Sequence, residues 1–220
     1  TLSGSVRDLG LAGQSRGYLD AALEGKAQPL ASNLPARVKI TSKTFRAAEA
    51  LPETLVLENW FVEAEGSLQS GFKTRAQATL PGTTGPIELT LVSLVTTAEA
   101  RDIRLELSAG SKTATDKANT SPQTVVVIGK TQWQGGLSAE ATLQLRQFPW
   151  YSLLPGMEEP PVALRKLDGN MSWQDGRYKA DLTAEVDGSQ GSAELATVIT
   201  GDANQLRLTK LSAVTGAGSG

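Results

Sequence analysis

Along most of the chain, apolar and polar side chains alternate one for one. A period of two puts every second side chain on the same face of an extended strand, so each such run predicts a strand with one apolar side. Leu19, Ala21 and Leu23 alternate with Asp20 and Glu24, and Val38 and Ile40 stand between Arg37, Lys39 and Thr41. Leu55 and Leu57 start another run, which changes phase at Asn59 and resumes with Trp60, Val62 and Ala64. A one-residue phase change flips the faces, so Asn59 predicts a bulge or a corner. Phe72, Ala76, Ala78 and Leu80 oppose Lys73, Arg75, Gln77 and Thr79. The Pro- and Gly-rich residues 81–86 then predict a turn into Ile87, Leu89 and Leu91, with Ile103, Leu105 and Leu107 beyond.

The second half repeats the theme. Residues 125–128 are apolar on both sides. Leu137, Ala139, Ala141, Leu143 and Leu145 alternate with Ser138, Glu140, Thr142, Gln144 and Arg146. Tyr178, Ala180, Leu182, Ala184 and Val186 do so with Lys179, Asp181, Thr183, Glu185 and Asp187. Residues 193–199 and then Leu206, Leu208 and Leu211 close the pattern ahead of a Gly-rich tail, 216–220. Between the halves, residues 110–123 have no apolar period and read as a loop. The expected organisation is a first β-segment over 1–110, a polar loop over 111–123, and a second segment over 124–220 continuing the same sheet. Helix is scarce. Thr44 could cap a short one over 45–51, stopped by Pro52, and a short amphipathic element is expected over 150–154 between Pro149 and Pro155.

Many short strands with one apolar face can build a sandwich, a barrel or a stack that lengthens by repetition. Two facing sheets must fill roughly 10 Å between them. Here the apolar positions are mostly Ala, Leu, Val and Gly, and aromatics are only 5% of the chain, which suits a thin or incompletely filled interior. A degenerate repeat also favours a stack: Trp133-Gln134 and Trp173-Gln174 each precede a glycine turn and another alternating ribbon. The expected fold class is all-β, an elongated repetitive β-sheet stack with a hydrophobic groove and very little helix.

Composition narrows the chemistry. With 220 residues, a net charge of −2, no Cys and no His, the chain lacks a basic face for nucleic acid. It also lacks any thiolate or imidazole for nucleophilic catalysis or metal ligation. Glu158-Glu159 sit in a Pro-rich stretch, where neighbours cannot flank a substrate as acid and base, and read as solvated charge. The expectation is a protein that is not an enzyme and that uses no cofactor or metal. No run of about 20 apolar residues could span a bilayer as a helix. No basic start leads into an apolar stretch, and Thr1 already lies in a strand-like pattern. The chain therefore reads as a segment of a longer protein whose targeting signals lie elsewhere.

Residues 145–220 carry a Phe-Pro-Trp segment (148–150), a strand start at Leu167-Asp168-Gly169, then Trp173 and a turn glycine. Gly201-Asp202 follows and leads into Leu206-x-Leu208-x-x-Leu211. This cadence resembles the repeat region of the TamB/AsmA-like family of Gram-negative envelope proteins; residues 55–110 show it less distinctly. The resemblance implies a folded-over, groove-forming sheet (a β-taco) in the periplasm, anchored in the inner membrane by a helix of the full-length protein. It also implies phospholipid traffic towards the outer membrane and partnership with an Omp85-type (TamA-like) outer-membrane barrel. It brings no catalytic residues. The expected groove-lining set is Leu55, Leu57, Leu105, Leu137, Ala139, Ala141, Leu143, Leu145, Tyr178, Ala180, Leu182, Ala184, Val186, Leu206 and Leu208. Trp150 and Tyr151 read as rings packed on the sheet, with a lipid headgroup as the other reading. A second functional reading is an assembly or chaperone module that offers its sheet edge to incoming strands by β-augmentation. A third, a β-helical adhesin or a polysaccharide-acting enzyme, lacks the Asn or Thr ladders or the clustered acidic and aromatic residues that it needs.

Overall fold

The computed structural model describes residues 1–215 apart from 6, 18, 47, 111–122 and 190. Fourteen strands form one sheet in sequence order, each antiparallel to its neighbours. They are β1 (Leu2–Ser5), β2 (Asp8–Ser15), β3 (Ala21–Ala27), β4 (Ala36–Phe45), β5 (Leu57–Ser67), β6 (Gly71–Leu80) and β7 (Ile87–Val95). The second half has β8 (Glu99–Ala109), β9 (Gln123–Gln132), β10 (Ser138–Arg146), β11 (Ala163–Gln174), β12 (Arg177–Gly188), β13 (Gly191–Asp202) and β14 (Leu206–Thr215). The chain is therefore all-β, an elongated open sheet. The expected polar loop lies outside the described residues except at its ends: Gln123 already begins β9, and β8 pairs directly with β9 across it.

The helix expected over 45–51 is not there. Phe45 completes β4, and residues 48–51 form bends and turns (Ala47 is outside the described residues). A 3-10 turn follows at Glu53–Leu55, so Leu55 lies off the sheet and β5 starts at Leu57. The six residues between the end of β4 and Pro52 are less than two turns, too short for a helix to be stable without packing of its own. The amphipathic element at 150 is a 3-10 turn, Trp150–Leu153.

Bulges explain the phase changes. Asn59 sits at φ 48°, where the β5–β6 register shifts between Glu58 and Phe61. Asp102 (φ 53°) does the same in β8. In β14, Val198 faces Lys210 and Ile199 faces Leu208, so Thr209 is the extra residue. That is why Leu206-x-Leu208 is followed by x-x-Leu211: after a bulge, three residues separate side chains that share a face.

Connections at the two strand ends differ. One end carries mostly short turns, with 28–35 its longest connection; among them Asp175-Gly176 has φ values of 49° and 82°, the two-residue turn that suits the right-handed twist of a hairpin. The other end carries the longer segments 46–56, 81–86 and 147–162. Buried side chains collect there: Leu80, Ile87, Leu145 and Phe148 form the core cluster, with Leu57, Leu107, Val125, Trp150, Leu153 and Leu167 packed against it. Elsewhere the described residues form a single layer. The accessible surface is 14668 Å², against about 9,700 Å² for a compact protein of this mass.

Candidate functional site

Residues directly opposite each other in an antiparallel pair project to the same face. Following the partners from strand to strand, one file runs Ile40–Val62–Ala76–Leu91 across β4–β7. It continues Leu105–Val127–Leu143–Gly169 across β8–β11 and Leu182–Thr197–Leu211 across β12–β14. Ten of these eleven positions are apolar or Gly. The flanking file Leu89–Leu107–Val125–Leu145–Leu167–Ala184–Leu195 runs parallel to it. The sheet thus presents a continuous apolar face over eleven strands.

That face is uncovered in its middle. Leu91, Leu105, Val127, Leu143 and Leu182 are half-buried, and Val62 is 37% exposed, whereas a side chain sealed under a second layer would be buried. Close packing between neighbours accounts for the burial they have. Leu182 lies over Gly169, where an added Cβ would come 2.4 Å from Leu182 Cδ2, and Gly129 admits the backbone of Glu140. The small residues let Leu side chains lie flat on the sheet, so a face poor in aromatics is still greasy throughout.

At the long-loop end the same face is filled. Gln147, at φ 47°, turns the chain off β10 and donates its amide to Arg165 O at 2.8 Å. The segment then crosses towards β5–β7. Thr54 Oγ1 donates to Leu153 O at 2.7 Å, and the Thr83 amide donates to Ser152 O at 2.8 Å. Phe148 (2% exposed) inserts into the core cluster, and Trp150 and Leu153 pack against it. Ser152 is fully buried, and its Oγ has no hydrogen-bond partner. Trp150 therefore packs on the sheet. Next to it, burial first and then Glu159 push the Tyr151 phenol above its ordinary range.

The opposite face is a ladder of ion pairs between neighbouring strands: Arg37 with Glu63, Lys130 with Glu140, Arg146 with Asp168, and Lys166 with Glu185. Burial raises the Asp168 carboxyl pKa, but the hydrogen bond and charge of Arg146, helped by Lys166, outweigh it and hold the group below the usual carboxylate range. Hydrogen bonds from Ser192 and Arg165 do the same for Asp187. The Lys166 ammonium is held above its usual value by Glu185 and then Asp168.

The expected groove residues divide by place. Leu105, Ala139, Ala141, Leu143, Tyr178, Ala180, Leu182, Ala184 and Val186 lie half-buried in the apolar files. Leu57 and Leu145 belong to the filled end. Leu206 and Leu208, 68% and 54% exposed, lie on the free edge strand β14. Two expectations fail. Leu55 is in the 3-10 turn, and Leu137, 50% exposed, precedes β10 in the 133–137 turn, where its carbonyl accepts from the Asp175 amide. The paired Trp-Gln motifs are also unequal. Trp173 is in β11 between Ala139 and Tyr178. Trp133 lies in a turn, 41% exposed, with its indole N–H donating to Thr97 O at 2.7 Å.

Ile40, Val62, Ala76, Leu91, Val127, Met171 and Leu211 also belong to the face, outside the expected groove set. Their alternation was visible, but only strand register brings them into file. Phe148 carries no periodic signal, and Leu153 falls in the short amphipathic element expected over 150–154, whose place against β5–β7 no local pattern shows. No protein-family model, no curated protein and no solved structure matches this chain.

Proposed function

We propose that the chain is part of a TamB/AsmA-like periplasmic bridge protein whose apolar sheet face carries phospholipid between the inner and outer membranes. The observation that carries this reading is the file from Ile40 to Leu211, apolar or Gly at ten of its eleven positions and largely half-exposed, backed on the other face by charged ladders. Open apolar strips of this length on one side only suit acyl chains: each methylene taken from water onto such a surface is worth about 0.8 kcal/mol. Fourteen strands spaced about 4.8 Å apart span roughly 65 Å, so further units of the same kind would complete a bridge. Neighbouring strands offer nearly equal files, so a chain can slide between them without a deep trap. The Omp85-type barrel is the partner that the resemblance suggests for the full-length protein.

Photo-crosslinking tests it. Probes at Leu143 and Leu182 are expected to yield phospholipid adducts in cells, and probes at Gln144 and Thr183, on the charged face, none. Equal labelling on both faces, or none on either, contradicts the proposal. A second reading, assembly of outer-membrane proteins by β-augmentation, would instead give adducts with unfolded barrel strands.

A further inference from the structure

We propose that the 147–162 segment is a releasable strap that selects the length of the apolar chain held on the sheet face. This deepens, and rests on, the lipid reading. With the strap down, the open positions on β10 run from Ala139 to Leu143, four residue steps or about 13 Å. Lifting it frees the file through Leu145, about 20 Å from Ala139. The acyl depth of a half-bilayer, roughly 15 Å, falls between the two. A short chain therefore fits beside a closed strap, and a full-length chain must displace Phe148, Trp150 and Leu153. Because that end is strapped, the polar head is directed to the short-turn end of the strands.

The strap is built to come off. On the far side two hydrogen bonds, from Thr54 and from the Thr83 amide, are the described polar ties. Its closed form also buries the Ser152 hydroxyl without a partner, a cost that opening relieves. The covered positions, Leu80, Ile87, Leu145 and Leu167, continue the files of the open face.

Residue-resolved hydrogen exchange and binding on the whole chain decide it together. The Thr83 amide should exchange at least 100-fold faster than that of Leu143 in β10. Ser152→Ala, which removes the unpaired hydroxyl, should slow Thr83 about tenfold and leave Leu143 unchanged. Thr83 exchanging as slowly as Leu143, or both slowed alike by Ser152→Ala, overturns the strap. The binding probes are phosphatidylcholines with 8-carbon and with 16-carbon chains. Apparent affinity falls with the fraction of competent protein, so Ser152→Ala should weaken the 16-carbon lipid by the same tenfold and the 8-carbon lipid less than twofold. Equal losses for both lengths refute selection while leaving the lipid reading standing. No binding of either lipid refutes the lipid reading and the selector role with it, and exchange still decides whether the strap opens.

Discussion

At the scale of single residues, the glycines of the apolar face do different jobs, and substitution should tell them apart. A methyl on Gly129 would come 2.5 Å from the Glu140 carbonyl oxygen, a backbone atom that cannot turn aside. A methyl on Gly169 would meet the end of the Leu182 side chain, which can. Gly129→Ala is therefore expected to cost about 1–3 kcal/mol in urea denaturation, and Gly169→Ala clearly less. Charge placement separates the open face from the filled end. Leu182→Asp should leave the β-sheet circular dichroism intact, because water reaches a half-exposed carboxylate. Ile87→Asp, at a site 1% exposed, should abolish it. The alternation that places Leu182 on a face was legible in the sequence. The exposure of that face was not, since a filled and an unfilled interior give the same period.

At the scale of elements, strand identity followed from period and turn chemistry, and the departures occurred where short-range signals compete. Ala- and Glu-rich residues 45–51 have helical propensity, but the pairing of Phe45 with Leu57 takes the first of them into the sheet. The two Trp-Gln motifs look alike, yet one precedes a two-residue Asp-Gly hairpin and the other lies in a longer turn, because strand pairing sets the turn length. Gly176→Ala should cost about 1–2 kcal/mol, since a left-handed conformation penalises any side chain. The ladder between β10, β11 and β12 makes stability depend on pH. Asp168 and Asp187 titrate lower in the folded chain than in the unfolded one, where the ordinary value is about 3.9. Their contribution is complete above that value and is lost as pH falls through the folded pKa values. Asp168→Asn should therefore flatten the loss of urea stability as pH falls below about 4, and added salt should weaken the effect at these partly exposed pairs.

At the scale of the molecule, fourteen strands joined in sequence order make a single layer, and among the described residues it is the 147–162 segment that seals part of its apolar face. Sequence pattern was sufficient for the sheet and for the two-sidedness of its strands. It could not supply the crossing, because the Pro-rich segment has no period and its contacts to Thr54 and Thr83 span the sheet. In the folded protein the middle of the apolar face stays open. Absence of native cysteine makes this directly measurable. Single cysteines at Leu91, Leu143 and Leu182 would be labelled with a maleimide under native conditions, with Thr183 as the exposed reference and Ile87 as the sealed one. The three face positions should react within about tenfold of Thr183, while Ile87 reacts only on unfolding. Protection of all three at the level of Ile87 would mean a closed core and would contradict the open face.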